Sequence, residues 1–187
     1  ARTTDGANNW GLTALPTPGK SNDGSVFATA RLDAPIINKD SQLFTSSFIA
    51  RVTIPDGATL KYTTDGTTPS ATNGQVSTTG RFTVNPTTTY RFRLFQDGML
   101  PSEVITRSYI YKDKEFKLPV ISVVTDPVNL YDDSLGVYVK GVNGRPGNGQ
   151  STPCNWNMEW DRPVNFEYIT PDGKMAFNQE VDFAMCG

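Results

Sequence analysis

The chain has 187 residues, of which 37% are hydrophobic and 19% charged, with a formal net charge of −2. That length suits one ordinary domain or two small ones, and the composition excludes a disordered chain. With 17 basic against 19 acidic residues there is no positive surplus for neutralising phosphates, which argues against nucleic-acid binding.

No apolar run approaches the length of a membrane-spanning helix. Histidine is absent, so Ser-His-Asp and Cys-His catalysis and every His-ligated metal site are excluded within this chain. The two cysteines cannot form a structural zinc site alone. They can form one disulfide, Cys154 to Cys186, if the geometry permits, and two free thiols are the alternative. The ends carry no signal peptide or lipidation motif, and the chain is expected to be a piece of a longer protein.

In chain order, residues 1–25 are polar and rich in Gly, Asn, Thr and Pro. Pro16-Thr17-Pro18-Gly19 excludes helix, and the segment reads as a linker or the last strand of another domain. Residues 26–112 read as a sandwich. Phe48, Ala50, Val52 and Ile54 alternate with polar neighbours, as do Leu60 and Tyr62, Phe82 and Val84, and Tyr90, Phe92 and Leu94. This period of two predicts antiparallel strands with one buried and one polar face. Asp56-Gly57, Asp65-Gly66, Asn73-Gly74 and Asp97-Gly98 mark the turns. The spacing predicts about seven strands in an immunoglobulin-like sandwich. Its core is expected to hold Phe48, Val52, Leu60, Tyr62, Phe82, Phe92, Leu94 and Tyr109.

Residues 113–187 differ. A charged run through Leu118 reads as a short linker. Pro119 to Val124 is nearly continuous in apolar residues and predicts a strand buried on both faces. Asp126-Pro127 predicts one helical turn through Tyr131. Gly136 to Val139 predicts a short strand. Val164 to Tyr168 and Met175 to Met185 predict two more, joined at Pro171-Asp172-Gly173-Lys174. The overall expectation is an all-β chain: a sandwich followed by a second, incomplete β-sheet region. That sheet lacks a covering helix, and its open edges would favour self-association.

The chemical candidates are few. Gly141, Gly144, Gly147 and Gly149 with Lys140 and Arg145 form a Gly-rich stretch, but no helix follows and the spacing is not the P-loop pattern, so it reads as a flexible surface excursion between strands rather than a phosphate cradle. Trp156 and Trp160, with Trp10 and Tyr131, are either sugar-stacking platforms or ordinary packing anchors. Asp126, Asp132 and Asp133 lack the ligand pattern of a Ca²⁺ loop and read as a solvated acidic loop with a helix cap. No catalytic residue, metal ligand or cofactor is assigned, so the chain as given is not expected to be an enzyme.

Three segments resemble known families. Asn9-Trp10 with Pro16 to Asn22 looks like the closing segment of a lamin-tail-type domain. Leu60-Lys61-Tyr62-Thr63-Thr64-Asp65-Gly66-Thr67-Thr68-Pro69-Ser70, with Thr87 to Arg93 and Tyr109-Ile110-Tyr111, resembles the chitobiase/β-hexosaminidase C-terminal-type domain. That resemblance implies a small immunoglobulin-like accessory module of bacterial surface proteins.

Leu118 to Ser122, Gly136 to Gly141, Glu159 to Val164 and Asp172 to Gln179 resemble the opening of the CotH (spore-coat-protein-H) kinase family. It implies the start of an atypical kinase-like fold whose active members transfer phosphate from ATP to protein hydroxyls. The family's next pattern has Arg and His where Ala184 and Cys186 stand here, and its nucleotide and metal residues would follow Gly187. None is carried over.

Together these resemblances imply a secreted or cell-surface fragment that positions a CotH-like domain and contacts a surface glycan or protein. A carbohydrate-binding module and part of a longer kinase are the alternatives.

Overall fold

The computed structural model describes residues 1–22 and 24–185. Its first seven strands are β1 (Gln42–Phe44), β2 (Phe48–Arg51), β3 (Thr59–Thr63), β4 (Gln75–Ser77), β5 (Arg81–Val84), β6 (Thr88–Phe95) and β7 (Ile105–Tyr111). They form a five-stranded sheet in the order β1-β7-β6-β3-β4 and a two-stranded sheet of β2 and β5. All pairs are antiparallel except β1 with β7. The fold is all-β, with an immunoglobulin-like sandwich.

The alternation in the sequence is what builds this layer. In β6, Tyr90, Phe92 and Leu94 turn inward; Phe92 sits opposite Tyr62 and Leu94 opposite Leu60 on β3. Phe82 from β5 meets Phe92 edge-on at 5.0 Å and Tyr62 at 4.9 Å, the arrangement that ring quadrupoles favour. Phe92, Leu60, Val84, Ala50 and Tyr109 are fully buried. All eight expected core residues lie in this cluster, Phe48 and Tyr62 at its partly buried margin. Burial also raises the pKa of the Tyr109 phenol, whose hydroxyl donates to the Lys39 carbonyl at 2.9 Å.

The turns follow from glycine. Gly57, Gly66, Gly74 and Gly98 all have positive φ, which side chains with a Cβ resist. Gly80 also has positive φ, and a Cβ there would lie 2.1 Å from the Val52 carbonyl oxygen.

The remaining strands are β8 (Val120–Val124), β9 (Arg145–Gly147), β10 (Gln150–Cys154), β11 (Arg162–Ile169) and β12 (Met175–Phe183), with one helical turn α1 (Val128–Tyr131) after β8. Strands β12-β11-β8 form an antiparallel three-stranded sheet, and β9 and β10 a separate hairpin. The three-stranded sheet lies on the outer face of the five-stranded one. Ser122 of β8 meets Ser108 of β7 at 2.8 Å, and Asn178 of β12 donates to the Thr106 carbonyl at 3.0 Å. The Leu43 amide of β1 donates to the Gly173 carbonyl at 3.1 Å. The molecule therefore stacks three β layers.

Three expectations need correction. Strand β8 is not buried on both faces: Ile121 and Val123 are 55% and 53% exposed, because only the Val120, Ser122 and Val124 face meets the sandwich. Residues 136–139 form turns rather than a strand. Their backbone is folded against α1, with Val137 N donating to Asn129 O and Tyr138 N to Leu130 O, both at 2.9 Å. The polar outer face of β6 and β7 is not solvated, since Thr106 and Ser108 are 2% and 1% exposed beneath the third layer.

Candidate functional site

The glycine-rich segment is a hairpin. Gly147 pairs with Gln150 across Asn148-Gly149, whose φ values of 51° and 73° give the two positive central residues of a type I′ turn. The chain continues as β10, not as a helix, so no amides converge at a helix start as a phosphate cradle requires. The glycines serve close packing: a Cβ at Gly144 would fall 2.3 Å from the Cys154 backbone, and one at Gly141 2.0 Å from the Asn155 side-chain nitrogen.

Asn155 is fully buried and ties the neighbouring loop down. Its amide nitrogen donates to the Asp133 and Gly136 carbonyls, each at 3.0 Å. Cys154 beside it is also buried. Its candidate disulfide partner, Cys186, lies outside the described residues.

This hairpin walls a surface hollow of about 600 Å³ that contains Trp156. Trp156 stands in a 3-10 turn over Asn155–Asn157, and Arg145, Asn148, Asn157 and Glu159 share the hollow. The polar rim is held by its own bonds. Asn148 Nδ2 donates to Asn157 Oδ1 at 2.9 Å, Arg145 Nε to the Asn157 carbonyl at 2.7 Å, and Arg145 pairs with Glu159 at 2.7 Å. An aromatic ring among amides and one ion pair has the chemistry of a sugar-binding surface, where ring stacking is combined with hydroxyl hydrogen bonds.

The other candidates do not converge there. Trp160 lies outside the lining of the hollow and is covered by the Arg162 guanidinium, 4.8 Å from the ring centre. Trp10 is paired with Arg2 at 5.5 Å, and Tyr131 with Tyr138 at 6.4 Å.

Nor do the aspartates. Asp132 accepts from the Ser134 and Leu135 amides. Asp126 accepts from Val128 within the helical turn and, at 2.8 Å, from the Thr68 amide of the sandwich. Among the described residues no group of acidic and sulfur ligands is placed to hold a metal.

Sequence reasoning missed the hairpin, although Asn148-Gly149 is the same dipeptide signal it used elsewhere. It also missed Arg145, Asn157 and Glu159 as neighbours of Trp156. Only the hairpin brings them together, and the Asn-Gly turn was the available clue.

The Thr63–Ser70 loop is built from its own residues. Asp65 accepts from the Thr67 amide at 3.0 Å and its hydroxyl at 2.6 Å, and these bonds hold the carboxyl below its ordinary value of 3.8. Arg91 donates to the Gly66 carbonyl at 2.8 Å and to the Thr68 hydroxyl at 3.0 Å. Burial lowers the Arg91 pKa, and the charges of Asp126 and Glu180 oppose that shift.

A comparison with curated proteins gave no match. A solved structure of protocadherin gamma B2 extracellular cadherin domains 3–6 resembles the chain at 14% identity and a TM-score of 0.26, over 81% of this chain and 47% of that one. Among the described residues no helix is long and apolar enough to cross a membrane. Residues 41–106, which hold strands β1 to β6 and the start of β7, match the family model of the chitobiase/beta-hexosaminidase C-terminal domain.

Proposed function

We propose that this chain is a non-catalytic accessory segment of a secreted or cell-surface bacterial protein. Its sandwich positions the β-rich region that follows, and the Trp156 hollow meets a glycan or a protein partner. The observation that carries this reading is the match of residues 41–106 to a domain named from carbohydrate-active enzymes. The hollow adds support, because it joins an aromatic ring to amides and an ion pair at one place.

A glycan array tests the carbohydrate part. Retention of a glycan by the wild type, lost in Trp156→Ala and kept in Trp160→Ala, is the expected result. Binding that survives Trp156→Ala moves the site elsewhere, and no retained glycan removes the carbohydrate reading.

A second reading makes residues 113–187 the opening of a CotH-type kinase domain. One observation favours it beside the resemblance: the outer face of β8-β11-β12 exposes Ile121, Val123 and Phe177, as a layer awaiting cover would. Thermal stabilisation of a longer protein by ATP and Mg²⁺ is then expected, and no shift at saturating nucleotide contradicts it.

A further inference from the structure

We infer that the sandwich and the β8-β11-β12 sheet are one rigid unit, joined by a water-excluded clasp in which Ser41 and Asn178 hold the buried Glu167 carboxyl. Glu167 of β11 is 0% exposed, and so is Ser41, just before β1. The Ser41 hydroxyl donates to Glu167 Oε1 while accepting from the Ser108 amide at 3.0 Å. Asn178 joins the clasp from the neighbouring strand on the same oxygen, while Glu167 Oε2 is buried without a hydrogen-bond partner among the described residues. The Asn178 side-chain nitrogen reaches Glu167 Oε1 at 2.7 Å and the Thr106 carbonyl of β7 at 3.0 Å. Strands β11 and β12 are thus fastened to β7 and to the residue that precedes β1.

Further bonds extend the seam. Ser108 Oγ contacts Ser122 Oγ at 2.8 Å and Thr89 Oγ1 at 3.1 Å. At the far end the Thr68 amide donates to Asp126 Oδ2, and Gly66 passes so close to the next segment that a Cβ there would lie 3.1 Å from the Thr125 carbonyl. The Thr-Thr-Asp-Gly-Thr-Thr loop therefore docks the segment that leads from β8 into α1.

Such a seam specifies alignment. Hydrogen bonds are directional, and a buried polar group moved off its partner bears the whole desolvation cost. Sliding the sheet by one residue would break the Ser41–Glu167, Asn178–Thr106 and Ser108–Ser122 bonds together. The covalent connection does not set this geometry, because residues 112–118 between β7 and β8 have no regular structure. The sheet also needs the support, since three strands with an uncovered apolar face form no closed core.

The inference rests on the positioning reading above, and cutting the connection separates the two. A specific protease site placed within residues 113–117 of the full chain is cleaved, and the product is run by size exclusion in native buffer. The halves are expected to co-elute at the intact mass. Glu167→Ala and Ser41→Ala, one from each layer, are each expected to raise the dissociation constant of the halves at least tenfold.

Ser41→Ala decides the matter if Glu167→Ala fails to fold, as judged by near-UV circular dichroism before cleavage. Halves that stay together in both variants as tightly as in the wild type overturn the clasp and leave the positioning reading standing. Wild-type halves that separate overturn both.

Discussion

On its inner face the five-stranded sheet packs Phe92, Tyr90 and Leu94 against β2 and β5, which supply Phe82; on its outer face it meets β8 and β12 through Ser108 and Thr106. The inner contact is apolar and largely aromatic. Apolar burial of that kind stabilises in proportion to area and tolerates small displacements. The outer contact is a set of hydroxyl, amide and carboxyl bonds. Each of these has a low net worth but a high cost when broken. The comparison teaches that one sheet uses its two faces for different purposes: the inner supplies stability, the outer supplies orientation. The third layer is therefore expected to depend on the sandwich, and not the reverse.

Phe92→Ala removes a fully buried ring from the centre of the aromatic cluster. It is expected to cost roughly 3–5 kcal/mol, and denaturant unfolding should show the third layer lost in the same transition as the sandwich. A separate, later transition for β8-β11-β12 would break the comparison.

Gly144→Ala presses a Cβ into the Cys154 backbone at 2.3 Å. Overpacking of this kind costs about 1–3 kcal/mol, here confined to the β9–β10 hairpin. Hydrogen exchange should accelerate there while β6 stays protected.

Val123→Thr on the open face should change stability by no more than about 0.5 kcal/mol, as surface changes generally do. It should also reduce self-association measured by sedimentation. A large loss of stability would mean that this face is covered in solution.

The smallest effect concerns Asp65. Its pKa is lowered in the fold, chiefly by the Thr67 hydroxyl and then by the Thr67 amide. A carboxylate with a depressed folded pKa contributes stability that is present above its unfolded pKa, and that is lost as pH falls through the folded value. Acid titration of the unfolding midpoint below about pH 4 should therefore be less steep in Asp65→Asn than in the wild type. Equal slopes would show that the Thr67 bonds do not distinguish the two protonation states.

The inner face was legible in the sequence, because alternation of Tyr90, Phe92 and Leu94 with polar neighbours has one structural solution. The Asp-Gly and Asn-Gly turns placed the strand ends. The outer face was not legible. Thr89, Thr106 and Ser108 alternate in the same way whether water or a second polar sheet covers them, and only the fold brings Glu167 opposite Ser41.

The apolar run of β8 misled for a related reason. Continuous hydrophobicity signals a strand covered on both sides, but Ile121 and Val123 face outward here. Trp156 and Trp160 looked like one platform because they are close in sequence. The 3-10 turn and the start of β11 send them to different surroundings, one beside the hairpin and the other beneath Arg162.

Native-state hydrogen exchange of the β11 amides, compared between wild type and Phe92→Ala, tests the dependence of the third layer most directly. If the sandwich supports that layer, protection in β11 and β6 should fall together and by the same factor. Protection in β11 that persists while β6 opens would show that the sheet stands on its own, and would contradict the account.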